Sequence, residues 1–253
     1  MKLSIIIPTL LKTKEYLDLC TNSLKENTKG LDFEIIVAEN GEGTNYPQGQ
    51  CQAVNRASRQ AQGEWLLIMN DDMATSPDWN RNIRWDISDC FSPNVNFTDA
   101  PDERLTFVDL PAGNGLDFDR KMVDDYVANM TDLTVENGWT MPVFIKKSLW
   151  YQIEGYDEAY DPWGSNSDSD VEYKVVLSGV QPKKQRGVFV YHFGLKSGTF
   201  DGTHQDYWQK NWNYFVDKWG FDREDTPNIQ RADLHIPIDK LKFKPSWSVY
   251  DKN

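Results

Sequence analysis

Three short apolar runs separated by helical patterns constrain the fold of this chain more than any other feature. The runs cover residues 3–8, 33–38 and 65–69. They are too short for helices and apolar on both faces, as the buried strands of a parallel sheet are. Residues 15–25 and 53–61 lie between them and repeat apolar side chains at helical spacing, with Gly30 and Gly63 as the expected terminators. The alternation predicts βαβ units with right-handed crossovers.

The later elements follow less regular patterns. Ser76 and Pro77 suit an N-cap and a first helical residue, and they predict a helix to about Cys90. The elements expected after it are a strand at 105–110, a helix at 122–130, a strand at 141–146, a helix at 168–177 ended by Gly179, and a strand at 188–191 before His192. The whole pattern predicts an α/β fold with a mostly parallel central sheet flanked by helices.

Four aromatic residues near the C-terminus share one face of a predicted helix. They are Trp208, Trp212, Phe215 and Trp219. Their helical spacing predicts that this helix packs against the body of the protein. We therefore expect all four in the core rather than at a ligand site.

Charge and composition exclude several classes of function. The chain has 27 Lys and Arg against 39 Asp and Glu, a net charge of −12. This charge repels nucleic acid and anionic membrane surfaces, so we expect no nucleic acid partner. The apolar start is too short for a signal peptide, and no run reaches membrane-span length. We expect a cytoplasmic protein without an integral membrane segment, at most peripheral to a membrane.

Cysteines and asparagines add little chemistry. Cys20, Cys51 and Cys90 are odd in number and widely spaced, which indicates reduced core thiols rather than zinc ligands or disulfides. Asn96 and Asn129 each begin an Asn-X-Thr sequence, which carries no meaning in a cytoplasmic protein.

Polar residues stand at the carboxyl ends of three predicted strands, where open α/β sheets bind ligands. Glu39 and Asn40 follow the second strand, Asn70-Asp71-Asp72 follows the third, and His192 ends the last. Two adjacent acids repel each other unless a cation or a hydrogen-bond donor compensates them. Mg²⁺ or Mn²⁺ would do so, since both take carboxylate oxygens and leave positions for phosphates. On this pattern alone, a solvated acidic turn is the more common structure.

Five segments, in order and in spacing, resemble the family 2 glycosyltransferases of GT-A fold. They are residues 4–9, 34–41, 63–72, 155–158 and 167–170. The last two resemble the family's glycine-aromatic-Asp-Glu segment and its acidic base motif. The resemblance covers about residues 3–75 and 139–195. Each motif is weak by itself, whereas the ordered set is specific.

The resemblance implies a donor site for a nucleoside-diphosphate sugar. In the position of the family's Asp-X-Asp motif, Asp72 would hold the metal on the diphosphate and Asp71 would contact the ribose or the metal shell. Glu39 stands where the family usually has an Asp that touches the base, so its longer side chain departs from the pattern. The other donor-binding residues implied are Pro8, Thr9, Asn40 and Asn70.

The resemblance also implies a catalytic base. Asp168 aligns with the carboxylate that removes the proton of the acceptor hydroxyl. Because Ser167 replaces the usual preceding Glu, Asp170 or Glu172 becomes the base if the register shifts. A helix N-cap without a catalytic role is the other interpretation of Asp168.

Three further positions complete the expected site. His192 stands where several family members place a metal-binding histidine, although a lone histidine is as often structural. Lys196 follows in a loop and would reach the diphosphate, or else is an exposed lysine. Trp163, beside Gly164, is the preferred acceptor platform because aromatic faces flank the expected base.

The function implied is metal-dependent transfer of a sugar from a nucleoside-diphosphate donor to a glycan or another hydroxyl acceptor, with inversion and with Mn²⁺ or Mg²⁺. It implies a GT-A catalytic domain at 1–200, divided into a nucleotide-sugar half at 1–90 and an acceptor half at 91–200. Residues 201–253 would be a helical extension packed on that domain.

Two other functions remain open. A catalytically silent nucleotide-sugar-binding protein fits the departures at Glu39 and Ser167. A sugar-1-phosphate nucleotidylyltransferase would need a glycine-rich loop after the first strand, and residues 8–12 contain no glycine.

Overall fold

The structure is a computed structural model that describes residues 2–41, 49–96, 108–197 and 204–219. The strands in these ranges are β1 Lys2–Thr9, β2 Asp32–Glu39, β3 Trp65–Ile68, β4 Met73–Ala74, β5 Cys90–Val95, β6 Val135–Asn137, β7 Val143–Lys146 and β8 Lys183–His192. The helices are α1 Lys14–Asn27, α2 Gln50–Gln60, α3 Arg120–Ala128, α4 Lys147–Gln152, α5 Ser167–Leu177 and α6 His204–Trp219, with a 3-10 turn at Glu158–Tyr160. None of these helices is long and apolar enough to span a bilayer.

One mixed sheet forms the centre of the protein, with strand order β2-β1-β3-β7-β5-β8-β4 and β6 paired to β8. β1 is parallel to β2 and β3, and β5 is parallel to β8. β7 runs antiparallel between β3 and β5. β4 and β6 run antiparallel to β8. The parallel pairings nevertheless join more residues than the antiparallel ones, and helices flank the sheet, which confirms the predicted fold class. The first two βαβ units also confirm the expected order of strand and helix.

The two faces of β1 pack against different helices. Ile5 and Ile7 lie in the cluster that contains Leu24 of α1, whereas Ile6 lies in the cluster that contains Val54 of α2. These five side chains are fully buried. Burial on both faces explains why the strand has an apolar run without polar alternation. Cys20, Cys51 and Cys90 are free and buried, as expected of core thiols.

The helix expected between Ser76 and Cys90 is wrong. The chain forms successive turns there, and Cys90 already belongs to β5. Asp78 has φ 56°, a left-handed conformation that ends any helix at its second residue. Trp79 is buried instead, and its Nε1 donates to Thr28 Oγ1 at 3.0 Å. Several Asp and Asn residues in this stretch favour turns. The burial of Trp79 and its hydrogen bond to Thr28 stabilise these turns over the expected helix.

The middle and the end of the chain are described only in part. Residues 105–107 of the strand expected at 105–110 lie outside the described residues, and Val108 forms an isolated bridge with Asn96. α3 confirms the helix expected at 122–130. Of the expected extension at 201–253, only α6 is described. The domain boundaries at 90 and 200 stay predictions.

Candidate functional site

The carboxyl ends of β1 and β3 and the region after β8 border one cavity of about 560 Å³. Parallel strands point their carboxyl ends to the same edge, which is why separate motifs meet there. Ten of the twelve expected site residues line the cavity: Pro8, Thr9, Asn40, Asn70, Asp71, Asp72, Trp163, Gly164, Asp168 and His192. The other described lining residues are Leu10, Gln50, Asn96, Ser165, Asn166, Gly194, Leu195, Ser197 and Trp208.

Asp71 is a buried carboxylate at the end of β3, only 1% exposed. Its Oδ2 accepts a hydrogen bond from Thr9 Oγ1 at 2.6 Å, which joins the ends of β1 and β3. Its Oδ1 is buried and has no hydrogen-bond partner among the described residues. Burial raises the pKa of Asp71 to about 7, the hydrogen bond from Thr9 opposes this, and the charge of Asp72 adds to it. An additional positive charge near Asp71 would therefore be strongly stabilising.

Asp72 is equally buried but has different partners. His192 Nε2 lies 3.2 Å from its Oδ1, and the backbone N–H of Lys196 donates to its Oδ2 at 2.9 Å. The strand pairing of β4 with β8 sets Met73 opposite His192, which holds the imidazole beside the acid. Burial acts to raise the pKa of Asp72, but the interactions with His192 and the backbone hydrogen bond from Lys196 together outweigh burial, so the pKa is lowered. The surroundings of Asp72 thus favour its ionised form, whereas those of Asp71 do not.

His192 is fixed through its backbone by Asn96. Asn96 Nδ2 donates to the carbonyl of His192 at 3.0 Å, and the N–H of His192 donates to Asn96 Oδ1 at 2.7 Å. Asn96 is 1% exposed, so this pair of hydrogen bonds is shielded from water. The Asn-X-Thr sequence that begins here therefore has a buried asparagine with a structural use.

The donor set at this position suits a hard divalent cation. Asp72 and His192 offer one carboxylate and one imidazole, while Asp71 Oδ1 is buried without a partner. No cluster of three or more potential ligands occurs within residues 2–41, 49–96, 108–197 and 204–219. Mg²⁺ and Mn²⁺ sites need no such cluster, because one or two protein ligands are completed by water and substrate phosphates. The residues present therefore fit a cation that binds together with a diphosphate.

Asp168 reaches the cavity from the first turn of α5. Tyr156 OH donates to its Oδ1 at 2.7 Å, and Tyr156 is itself buried. Burial raises the pKa of Asp168, and the hydrogen bond from Tyr156 lowers it by less. A carboxylate with a raised pKa is a stronger base, which is what proton removal from a hydroxyl requires.

The two alternative bases lie away from the cavity. Asp170 is fully buried and accepts from Tyr160 OH at 3.2 Å and from Trp219 Nε1 at 2.9 Å. Glu172 is 4% exposed, and neither it nor Asp170 lines the cavity. Ser167 is fully buried as well. Among the three acids considered, Asp168 is the one within reach of a ligand.

The loop before α5 carries Trp163 and Gly164 and is tied to α2. The carboxylate of Asp161 accepts from the N–H groups of Cys51 at 2.8 Å and Gln52 at 3.0 Å, which satisfies the start of that helix. Gly164 has φ 70°, a conformation that favours glycine, and a Cβ there would lie 3.3 Å from Gln50 Cδ. The loop is therefore held close against the start of α2.

Two expected site residues do not line this cavity. Glu39 pairs with Thr9 at the ends of β2 and β1, and its carbonyl accepts from Arg56 Nη2 at 2.9 Å. Lys196 contributes its backbone N–H to Asp72. Their expected contacts with base and diphosphate stay predictions.

Trp208 of α6 is a lining residue that the sequence assigned to the core. Phe215 and Trp219 of the same stripe are fully buried, as expected, but Trp208 is partly exposed at the cavity. Gln50, Asn96 and Asn166 were also missed, because amide side chains scattered in sequence carry no pattern. Asn166 has φ 67°, which Asn tolerates better than most residues.

No protein-family model matches this sequence, and no curated protein is significantly similar to it. Solved structures share its fold at low identity. GalNAc-T7, solved with UDP, GalNAc and Mn²⁺, has a TM-score of 0.54 and 13% identity over 76% of this chain and 44% of that chain. TarS of S. aureus has a TM-score of 0.52 and 17% identity over 76% of this chain and 36% of that one.

A 1–349 fragment of TarS aligns over 90% of this chain and 77% of the fragment, with a TM-score of 0.53 and 14% identity. That fragment has also been solved with UDP and with UDP-GlcNAc. This chain thus spans less than half of the first two matched structures. At such identities the likeness shows the fold, and the fold is that of the GT-A glycosyltransferases.

Proposed function

We propose that this protein is a metal-dependent glycosyltransferase that moves a sugar from a nucleoside-diphosphate donor to a hydroxyl acceptor with inversion. One observation carries the proposal: Asp71, Asp72, His192 and Asp168, from three separate segments, border a single cavity at the carboxyl edge of the sheet. That combination supplies a cation site and a general base within one cavity, which is what group transfer from a diphosphate needs.

The charge of the cavity favours a metal-bound diphosphate. Its described lining includes the carboxylates of Asp71, Asp72 and Asp168, but no Lys or Arg. A diphosphate would be repelled by these acids unless a cation came with it. Asp72 and His192 would hold Mn²⁺ or Mg²⁺ there. The bound metal would stabilise the negative charge that develops on the leaving nucleoside diphosphate.

Asp168 would act as the base. The acceptor oxygen attacks the anomeric carbon as its proton moves to Asp168, and the bond from that carbon to the diphosphate oxygen breaks. Tyr156 holds the carboxylate through Oδ1 at 2.7 Å, so proton transfer would use the other oxygen. Attack opposite the leaving group inverts the anomeric configuration.

The remaining residues around the cavity would bind the donor and the acceptor. Asp71 would receive the ribose or the metal shell, and Pro8, Thr9 and Asn40 would surround the nucleotide. Trp163 and Gly164 would lie on the acceptor side. We propose one catalytic domain at 1–200 with the 201–253 extension packed on it. The UDP complexes of the solved structures make uridine diphosphate sugars the first donors to examine.

A donor panel with UDP-GlcNAc, UDP-GalNAc and other nucleoside-diphosphate sugars tests the proposal through release of nucleoside diphosphate. We expect release from at least one donor with Mn²⁺ or Mg²⁺, its loss on adding EDTA, and a large loss in Asp72→Asn. Asp86→Asn is the matched control, because Asp86 is exposed and pairs only loosely with Arg84 at 3.9 Å. Nucleotide binding without release from any donor would favour the silent binding protein, and absence of both would contradict the proposal.

A further inference from the structure

Trp208 forms the cavity end of an aromatic stack along α6. The rings of Trp208 and Trp212 are parallel within 6°, with centroids 6.3 Å apart. The ring centroids of Trp212 and Phe215 lie 5.9 Å apart, and Phe215 is fully buried. Because the stack begins in the core, the indole of Trp208 is held in place where it lines the cavity.

α6 is anchored to the elements that carry the proposed base. Asn211 Nδ2 donates to the carbonyl of Tyr160 at 2.7 Å, and Trp219 Nε1 donates to Asp170 Oδ1 at 2.9 Å. Asp170 lies two residues after Asp168 on α5. These buried hydrogen bonds fix α6, and with it Trp208, relative to Asp168.

Trp163 is also held before any ligand binds. Lys12 Nζ lies 5.4 Å from the centroid of its ring. The Tyr207 ring, at a centroid distance of 6.1 Å, meets it edge-on at 68°. An indole that is already ordered loses little conformational entropy when a ligand stacks on it.

The polar side chains that line the cavity near these indoles are neutral, whereas Lys12, which lies against Trp163, is not among the described lining residues. Gln50, Ser165 and Asn166 line the cavity, and the described lining residues include no Lys or Arg. Amides and hydroxyls beside aromatic faces suit a ring that has both an apolar face and hydroxyl groups. A phosphate-bearing acceptor would instead be repelled by the carboxylate of Asp168, because no Lys or Arg is among the described lining residues beside it.

We propose that Trp208 and Trp163 form the acceptor subsite and that the acceptor is a neutral pyranose, whose apolar face stacks on Trp208 while a hydroxyl reaches Asp168. This inference rests on the proposed glycosyl transfer, and it adds the class of acceptor and a binding residue on α6.

The test uses the full chain with UDP and Mg²⁺, which is diamagnetic and suits saturation-transfer NMR. The neutral probes are methyl β-glucoside, methyl β-galactoside and methyl N-acetyl-β-glucosaminide. Glycerol and glycerol 1-phosphate represent acceptors without a ring and with a charge. Trp208→Leu keeps apolar volume against Trp212 but removes the aromatic face, whereas Trp208→Phe keeps that face. Gln209→Ala is the control, because Gln209 is exposed on the same helix.

We expect at least one glycoside to bind, with affinity about tenfold weaker in Trp208→Leu and near normal in Trp208→Phe and Gln209→Ala. Equal affinity in Trp208→Leu and the unaltered protein would overturn the inference. So would equal weakening in both Trp208 variants, failure of every glycoside to bind, or a preference for glycerol 1-phosphate. Calorimetry with UDP and Mg²⁺ separates the two proposals, because absence of UDP binding to the unaltered protein contradicts the glycosyltransferase itself.

Discussion

The three carboxylates around the cavity have different hydrogen-bond partners, and their proposed roles follow from that difference. Asp71 accepts from the hydroxyl of Thr9, Asp72 lies beside the imidazole of His192, and Asp168 accepts from the phenol of Tyr156. Asp72 also accepts a hydrogen bond from the backbone N–H of Lys196, and more partners compensate burial more fully. The pKa is accordingly raised at Asp71 and Asp168 and lowered at Asp72.

Asn96 gives a prediction at this scale. Asn96→Ala removes both hydrogen bonds to the backbone of His192, so the imidazole loses its support beside Asp72. Groups that orient a metal ligand typically contribute about 10–100-fold to metal affinity. We expect the Mn²⁺ concentration needed for UDP binding to rise by about tenfold or more, measured by calorimetry.

Asn129→Ala is the matched control, because Asn129 also begins an Asn-X-Thr sequence but is exposed at the end of α3. An unchanged Mn²⁺ requirement in Asn96→Ala would show that His192 needs no support from Asn96 or does not bind the metal.

The acidic residues of the site could be predicted from the sequence, whereas the residues that position or accompany them could not. Asp71, Asp72 and Asp168 stand in recognisable motifs next to predicted elements, so their shared location could be expected. Asn96 and Trp208 reach the cavity through tertiary packing, which no local pattern encodes. The aromatic residues of α6 repeat at one helical spacing, but Trp219 is buried in the core whereas Trp208 lines the cavity.

At the scale of elements, α5 and α6 are joined through buried charges. Asp170 lies 2.7 Å from Lys218 Nζ and 3.3 Å from Lys174 Nζ, and all three side chains are nearly inaccessible. Lys218 also lies 2.6 Å from Asp157. Two acids and two lysines balance each other, which makes the burial of Asp170 and the two lysines tolerable, while Asp157 is only partly buried.

Asp170→Asn should be strongly destabilising, because it leaves buried lysines without their central partner. We expect the free energy of unfolding to fall by about 3–5 kcal/mol in urea denaturation. Asp18→Asn is the control, because it removes an exposed pair with Lys14, and we expect a loss of about 0.5 kcal/mol or less. Similar losses in the two variants would mean that the buried network adds little stability.

Asp157 gives a prediction about pH. Burial acts to raise its pKa, but the hydrogen bonds from Lys218, the N–H of Ala159 and Tyr214, together with the charge of Lys218, outweigh burial and hold the pKa below the usual 3.8. A lowered folded-state pKa contributes stability that is present above about pH 4 and lost as pH falls through the folded value. Asp157→Asn should therefore reduce stability by about 1.5–3 kcal/mol at pH 7 and by less below pH 4.

Thermal melting of Asp157→Asn and the unaltered protein between pH 2.5 and pH 7 measures this effect. The difference in melting temperature between the two proteins should shrink as the pH falls towards 2.5. A constant difference across the range would indicate that the charge of Asp157 is not what stabilises the contact with α6.

Among the elements, strands were easier to predict than the segment after Ser76. The apolar runs of β1, β2 and β3 admit one environment, a sheet buried on both faces. Residues 76–90 mix turn-forming and apolar side chains, and burial of Trp79 decided their conformation. The antiparallel direction of β7 was likewise open, because an apolar run carries no direction.

At the scale of the whole molecule, the fold explains why distant segments share one cavity. The parallel strands β1, β2 and β3 end at one edge, β8 brings His192 to it through β4, and α5 adds Asp168. The carboxylates of Asp71, Asp72 and Asp168 make this edge acidic, in keeping with the proposed cation and the proposed neutral acceptor. The polar residues at the strand ends predicted a ligand site at this edge. That Trp208 of α6 also lines the cavity became visible only in the packed structure.

Asp168→Asn tests the central claim most directly. The measurement is the rate of nucleoside diphosphate release from the preferred donor with Mn²⁺, paired with UDP affinity in the same variant. We predict a rate about 10²–10⁴-fold lower, the usual contribution of a general base, with UDP affinity within about twofold of the unaltered protein. Near-normal release by Asp168→Asn would contradict the account.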